Sequence, residues 1–228
     1  SIYDRDYENL GDENSYVYIG TEFAQAMASP SHLFKFHMSE GGLRVPLIIK
    51  GPNFESGKND NFSFVTDIAA TLSDVVYGSV RENIIGKSLK KSLQGSKEKN
   101  YLDTDAVGLE VTGNSALFKG DYKIVRNRPP HGSNAWELYN LTIDPGETNN
   151  LSEDMPDKLN ELISDYKNYV ELNGVIELPI DYSWAKEMSI NTLKRLLIEY
   201  IWWISIGLVI VLVLIIVIIR KTKPFFKQ

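Results

Sequence analysis

The run Ile201-Trp-Trp-Ile-Ser-Ile-Gly-Leu-Val-Ile-Val-Leu-Val-Leu-Ile-Ile-Val-Ile-Ile219 contains no charged residue. About 20 consecutive apolar residues are what a helix needs to cross a hydrocarbon core of ~30 Å. A helix that packs against a soluble core is usually shorter and keeps a polar stripe, which this run lacks. The spacing therefore predicts one transmembrane helix over 201–219. Tyr200, Trp202 and Trp203 crowd one end, where amphipathic rings settle among headgroups, and Arg220, Lys221, Lys223 and Lys227 follow the other. The basic tail, 220–228, is expected to be cytoplasmic and residues 1–200 to lie outside the cytoplasm. Lys186, Lys194 and Arg195 on the opposite flank reduce that charge asymmetry.

The net charge is −6, and since the tail supplies four positive charges, residues 1–200 carry −10. Nucleic-acid binding calls for a basic face that displaces counterions, and no Lys/Arg cluster with interleaved aromatics occurs, so nucleic acid is excluded as a partner. With no cysteine, the chain has no disulfide, no thiolate metal site and no cysteine nucleophile. It opens on Ser1 without a signal-peptide pattern, and is expected to lack an N-terminal part of the protein.

Residues 1–30 are polar and turn-rich, with Tyr16-Val-Tyr18 expected as a short strand. Arg44-Val-Pro-Leu-Ile-Ile-Lys50 is a compact apolar run closed by Gly51-Pro52, the pattern of a buried strand. In Thr66–Val76, Ile68, Leu72, Val75 and Val76 recur at helical spacing behind Thr66 as N-cap. This strand–helix alternation predicts an α/β layer, and Lys87–Lys99 reads as a boundary loop. Gly108–Thr112, Ser115–Phe118, Asp121–Arg126 and Trp136–Tyr139 are short candidate strands between Gly, Asn or Pro turns, which spells an antiparallel meander. Leu159, Leu162, Ile163, Tyr166 and Tyr169 then line one face of a helix over 156–172, with Pro156 in its first turn and Gly174 past its end. That helix is expected to cover one face of the sheet.

The chain has three histidines, His32, His37 and His131, and none stands at a metal-ligand spacing or beside a serine in a nucleophile elbow. Each is expected to be structural or solvated. Glu40-Gly-Gly-Leu-Arg-Val-Pro46 has paired glycines suited to a tight turn, without the spacing of a phosphate loop.

Pro30-Ser-His-Leu-Phe-Lys35 followed by Glu40–Pro46 resembles the late active-site block of arylsulfatases. The second half is similar, in order, to the C-terminal subdomain of bacterial members: Leu117–Val125, Trp136–Asn140, Asp144-Pro-Gly-Glu147 and Asn150-Leu151. Thr66–Leu72 resembles the family's helix after the core strand, with Ala70 where proline is usual. The resemblance covers about residues 1–175 and implies an α/β fold like that of alkaline phosphatase, with a small antiparallel sheet and helix beside it. It implies hydrolysis of sulfate esters by a formylglycine made from a C/S-x-P-x-R motif, next to a calcium ion held by Asp and Asn. That motif is absent from this sequence, so no catalytic or metal-binding residue is assigned here. One family site residue carries over: Lys35 matches the lysine that contacts the substrate's sulfate. Glu40 and Arg44 are expected to hold the loop that positions it.

The expected layout is thus the end of an α/β catalytic domain over 1–99, a small α+β subdomain over 100–174, a stalk over 175–200, the membrane helix and the tail. The function expected from the resemblance is that of a membrane-anchored sulfatase, facing the periplasm or cell exterior, acting on a sulfated small molecule or sulfated glycan. By itself this stretch is expected to be inactive. A phosphodiesterase or phosphonate monoester hydrolase of the same superfamily, and a membrane-tethered protein that kept the fold and lost the site, stay open as alternatives.

Overall fold

A computed structural model describes residues 6–13, 15, 19–179 and 181–222. The strand expected at Tyr16–Tyr18 lies outside the described residues, as do Lys223 and Lys227 of the tail. The chain forms two compact units, Ser1–Glu177 and Leu178–Gln228.

In the first unit, a 3-10 turn at Tyr7–Asn9 is followed by α1 (Gly20–Ala28), α2 (Glu40–Leu43), α3 (Thr66–Tyr77) and α4 (Lys90–Leu93). Strands β1 (Ala106–Val111), β2 (Asn114–Lys119), β3 (Tyr122–Arg126) and β4 (Glu137–Asn140) then form one antiparallel sheet in the order β1-β2-β3-β4. All four expected strands are present. Val111 pairs with Asn114, and the two residues between them, Thr112 and Gly113, have φ of +51° and +83°. Left-handed conformations at both central positions match the turn to the twist of the flanking strands.

Alternation along the strands splits the core in two. Leu117, Ile124 and Leu138 face α5 (Pro156–Asn173) and pack with Leu162 and Tyr166. Ala116, Val125 and Tyr139 face the other way and pack with Met38. The expected helix therefore covers one face of the sheet, and the segment around Met38 covers the second. Gly108 of β1 is required by the first contact, because a Cβ there would lie 2.4 Å from the Tyr169 ring. Lys119 Nζ reaches Glu161 (2.9 Å) and Asp165 (2.7 Å), which fixes α5 along β2. Gly174, at φ +61°, ends the helix by donating its N–H to Glu171 and Val170 carbonyls.

Two expectations for the first hundred residues, the strand at Arg44–Lys50 and the Thr66 N-cap, fail, while the helix expected behind Thr66 is present. Arg44–Lys50 is not a strand: it has no regular structure, and Val45, Leu47 and Ile48 are exposed, Ile48 by 94%. Among the described residues no strand lies beside it to receive its backbone bonds, and the described sheet is β1–β4. In α3 the apolar stripe Ile68, Leu72, Val75 and Val76 faces outward, while Asp67, Ala70, Thr71 and Ser73 are buried. Asp67 sets this rotation. Its carboxylate accepts from the Phe64 N–H (2.7 Å), the Lys87 N–H (2.8 Å) and the Tyr101 hydroxyl (2.6 Å). It thus ties the segments before and after the helix to its first turn, and the N-cap position falls to Val65, with no side-chain cap, rather than to Thr66.

Among its described residues the second unit contains one helix, α6 (Trp184–Thr222), about 58 Å long at 1.5 Å per residue. It is long and apolar enough to cross a membrane and none of its most apolar window is buried. Helix runs unbroken from before the expected stalk's end through 201–219.

Candidate functional site

The loop that carries Lys35 spans Pro30–Ser39 and enters α2. Leu33, His37, Met38, Ser39 and Glu40 are buried, while His32, Lys35 and Phe36 are exposed. Leu33 and Phe36 have φ of +57° and +80°, in a region that large side chains enter only when their surroundings dictate it. Lys35 lies between them, with Nζ 5.1 Å from the centre of the Phe36 ring.

Paired glycines make the loop possible, through space rather than through φ. A Cβ on Gly41 would come within 2.0 Å of the Leu33 carbonyl oxygen, and one on Gly42 within 2.2 Å of the His37 carbonyl oxygen. The loop thus rests directly on the backbone of α2, where the Gly41 N–H donates to His32 O at 2.8 Å.

The sheet clamps the same loop at three points. Asn114, at the start of β2, donates to Phe36 O (2.7 Å). Asn127, just after β3, accepts from the Met38 N–H (2.8 Å) and donates to Ser39 Oγ (2.9 Å). Glu147, in the turn after β4, accepts the Glu40 N–H (2.8 Å) through Oε2 and takes Lys123 Nζ (2.7 Å) on Oε1. Lys123 also reaches Glu40 Oε1 at 2.9 Å, and its side chain is 0% exposed. Asp144 builds the Glu147 turn by accepting from the Thr148 and Asn149 N–H groups, both at 2.8 Å. Burial opposes ionisation of Asp144, and these donors outweigh it, so its pKa falls below the ordinary carboxylate value.

Glu40 holds the loop as expected. Arg44 does so only through its backbone N–H, which donates to Glu40 O (2.8 Å); its side chain is exposed. Two of the three histidines, distant in sequence, meet at this loop. His37 and His131 meet edge to face at 5.0 Å between ring centres, and Phe34 stands 4.8 Å from His37 and 5.6 Å from His131. His37 Nδ1 lies 3.0 Å from Phe34 O; a carbonyl only accepts, so this nitrogen carries the hydrogen. Burial lowers the His37 pKa, and the neighbouring His131 and His32 add to that effect.

Sequence reasoning missed Lys123, Asn127, Asn114 and His131. The one available signal was a charged residue, Lys123, standing in an apolar strand at a position that shares a face with Val125. Among the described residues no group of three His, Asp or Glu could hold a metal ion. Calcium asks for six to eight oxygen ligands. The loop offers imidazoles, with His37 Nδ1 already committed, so these residues do not fit calcium. The loop does present an exposed cation, Lys35, a point charge suited to an anionic group.

Residues 31–173, which include the loop, the sheet and α5, match the family described as N-sulphoglucosamine sulphohydrolase, C-terminal. An uncharacterized sulfatase of Schizosaccharomyces pombe is 36% identical over 191 residues, covering 79% of this chain and 34% of the relative. Arylsulfatase K of Xenopus laevis is 23% identical over 168 residues, covering 69% of this chain and 31% of the relative. A solved 2-O GAG sulfatase is 23% identical with a TM-score of 0.40, over 55% of this chain and 29% of that one. The chain spans about a third of the length of the curated relatives it matches. With the family match running through every element that clamps the Lys35 loop, the chain belongs to the sulfatase family, and residues 31–173 are its C-terminal domain of that family.

Proposed function

We propose that this chain supplies the C-terminal part of a membrane-anchored sulfatase that hydrolyses sulfate esters, with Lys35 contacting the sulfate of the substrate. One observation carries the assignment to Lys35: it is an exposed cation on a loop whose backbone is held at His32, Phe36 and Met38. An ammonium is a compact point charge matched to a sulfate oxygen. Held in place before the reaction, it would stabilise charge that grows on the sulfuryl oxygens and leaving oxygen, without reorganisation at that moment. Such an exposed cation would favour an anionic substrate, and a sulfated small molecule or sulfated glycan fits that requirement.

The formylglycine nucleophile and calcium implied by the family resemblance would come from other sequence, and residues 1–228 alone are expected to be inactive. Arylsulfatase-type selectivity is part of the same proposal. The apolar helix α6 supports anchoring in a lipid bilayer, and the basic residues after Ile219 support a cytoplasmic C-terminus with the first unit in the periplasm or outside the cell. The test is release of nitrophenol from nitrophenyl sulfate by the full-length protein. Lys35→Ala is expected to reduce kcat/KM by about 10²-fold or more, the scale of losing one preorganised charge-stabilising donor. Unchanged turnover would refute the role of Lys35.

A further inference from the structure

The sheet face opposite α5 is apolar at Ala116, Val125 and Tyr139, yet it carries Lys123 among them with no exposed surface. A buried ammonium is expensive to desolvate, and a leucine at this position would pack without that penalty. Here the charge is met by two carboxylates, Glu40 at 2.9 Å and Glu147 at 2.7 Å, and by the Phe118 ring 4.9 Å from Nζ. The three charged residues come from three separate segments: α2 directly after the Lys35 loop, β3, and the turn after β4. Glu147 closes the arrangement by accepting the Glu40 backbone N–H, and it does so at φ +55°, a conformation a non-glycine residue holds only when its surroundings over-determine it. The stretch between Lys35 and Glu40 is clamped again at Phe36, Met38 and Ser39 by Asn114 and Asn127.

We propose that Lys123 is a positioning residue for the active site: through Glu40 and Glu147 it locks α2 to the small sheet and so sets where the Lys35 ammonium can reach. The inference rests on the proposed role of Lys35. Neutral packing would hold the same surfaces together but would tolerate sliding, because dispersion contacts have no preferred direction. An ammonium between two carboxylates, one of which also holds a backbone N–H, fixes direction and register. The small sheet then acts as the mount of a catalytic cation, beyond supplying a core.

A double-mutant cycle separates this from a role in stability alone. In the full-length protein, kcat/KM for nitrophenyl sulfate is measured for Lys35→Ala, Lys123→Met, Glu147→Gln and the doubles pairing each of the latter with Lys35→Ala. Lys123→Met is expected to lose about 10²-fold, as a shift of about 1 Å in a positioned group does. In the Lys35→Ala background its further loss is expected to stay within about twofold. A full multiplicative loss in the double, or wild-type turnover in folded Lys123→Met, would overturn the inference. No effect of Lys35→Ala by itself, or no turnover by the wild type, would instead sink the proposed role of Lys35. Amide hydrogen exchange on the unsubstituted protein decides the lock even where variants do not fold. The Met38, Glu40 and Gly41 amides are expected to exchange as slowly as that of Ile124 in β3, and rapid exchange at the loop would overturn it.

Discussion

At Gly41 there is no room for a methyl group, because a Cβ would lie 2.0 Å from a backbone oxygen that cannot rotate away. Gly41→Ala is expected to destabilise the first unit by about 3 kcal/mol or to dislodge the Lys35 loop, in the upper range of overpacking costs. Thermal unfolding reads this directly. His37 gives a different kind of residue effect. Burial lowers its pKa from 6.5, so below that pH the unfolded chain binds more protons at this ring than the folded one. The contribution of the neutral ring is fully present above the unfolded value and is lost as pH falls through the folded one. The melting temperature is therefore expected to decline as pH falls below 6.5, and His37→Gln is expected to flatten that decline. Equal slopes in the two proteins would show that His37 is not the group involved.

Among the elements, α3 and α5 obey different rules. In α5 the apolar stripe faces the sheet, Leu162 is fully buried, and Leu162→Ala is expected to cost about 2–5 kcal/mol by denaturant unfolding. In α3 a carboxylate decides. Asp67→Ala would strand the Phe64 and Lys87 N–H groups and the Tyr101 hydroxyl, at about 1–3 kcal/mol for each buried group left unsatisfied. It is expected to match or exceed Leu162→Ala in the same measurement. The strands and α5 were legible because their signals are local: alternation, turn glycines, Pro156 and Gly174. The orientation of α3 was not, because one local and two distant donors on one aspartate outweigh the helix's own periodicity.

For the molecule as a whole, the outward stripe of α3 and Val45, Leu47 and Ile48 leave large apolar side chains exposed on the first unit. Residues 1–177 produced alone are expected to self-associate, and Leu72→Glu with Val76→Glu to reduce this without lowering the melting temperature. Sedimentation compares the two, and equal association would place the sticky surface elsewhere. The site, too, becomes visible only at this scale. Lys35 was legible from its motif and Glu40 from its neighbours, whereas Lys123, Asn127 and Glu147 reach the loop and α2 from 83, 88 and 107 positions away along the chain.

The apolar run 201–219 and the strand and helix periods needed only the sequence, since chain length, charge and side-chain spacing act locally. Three things needed the tertiary structure: that the Lys35 loop covers the sheet's second face, that Arg44–Lys50 forms no strand, and that a buried lysine clamps the loop from below. Each depends on which groups a segment finds beside it. A backbone without a neighbouring strand cannot pair, and a charge can be buried only where opposite charges from other segments converge on it.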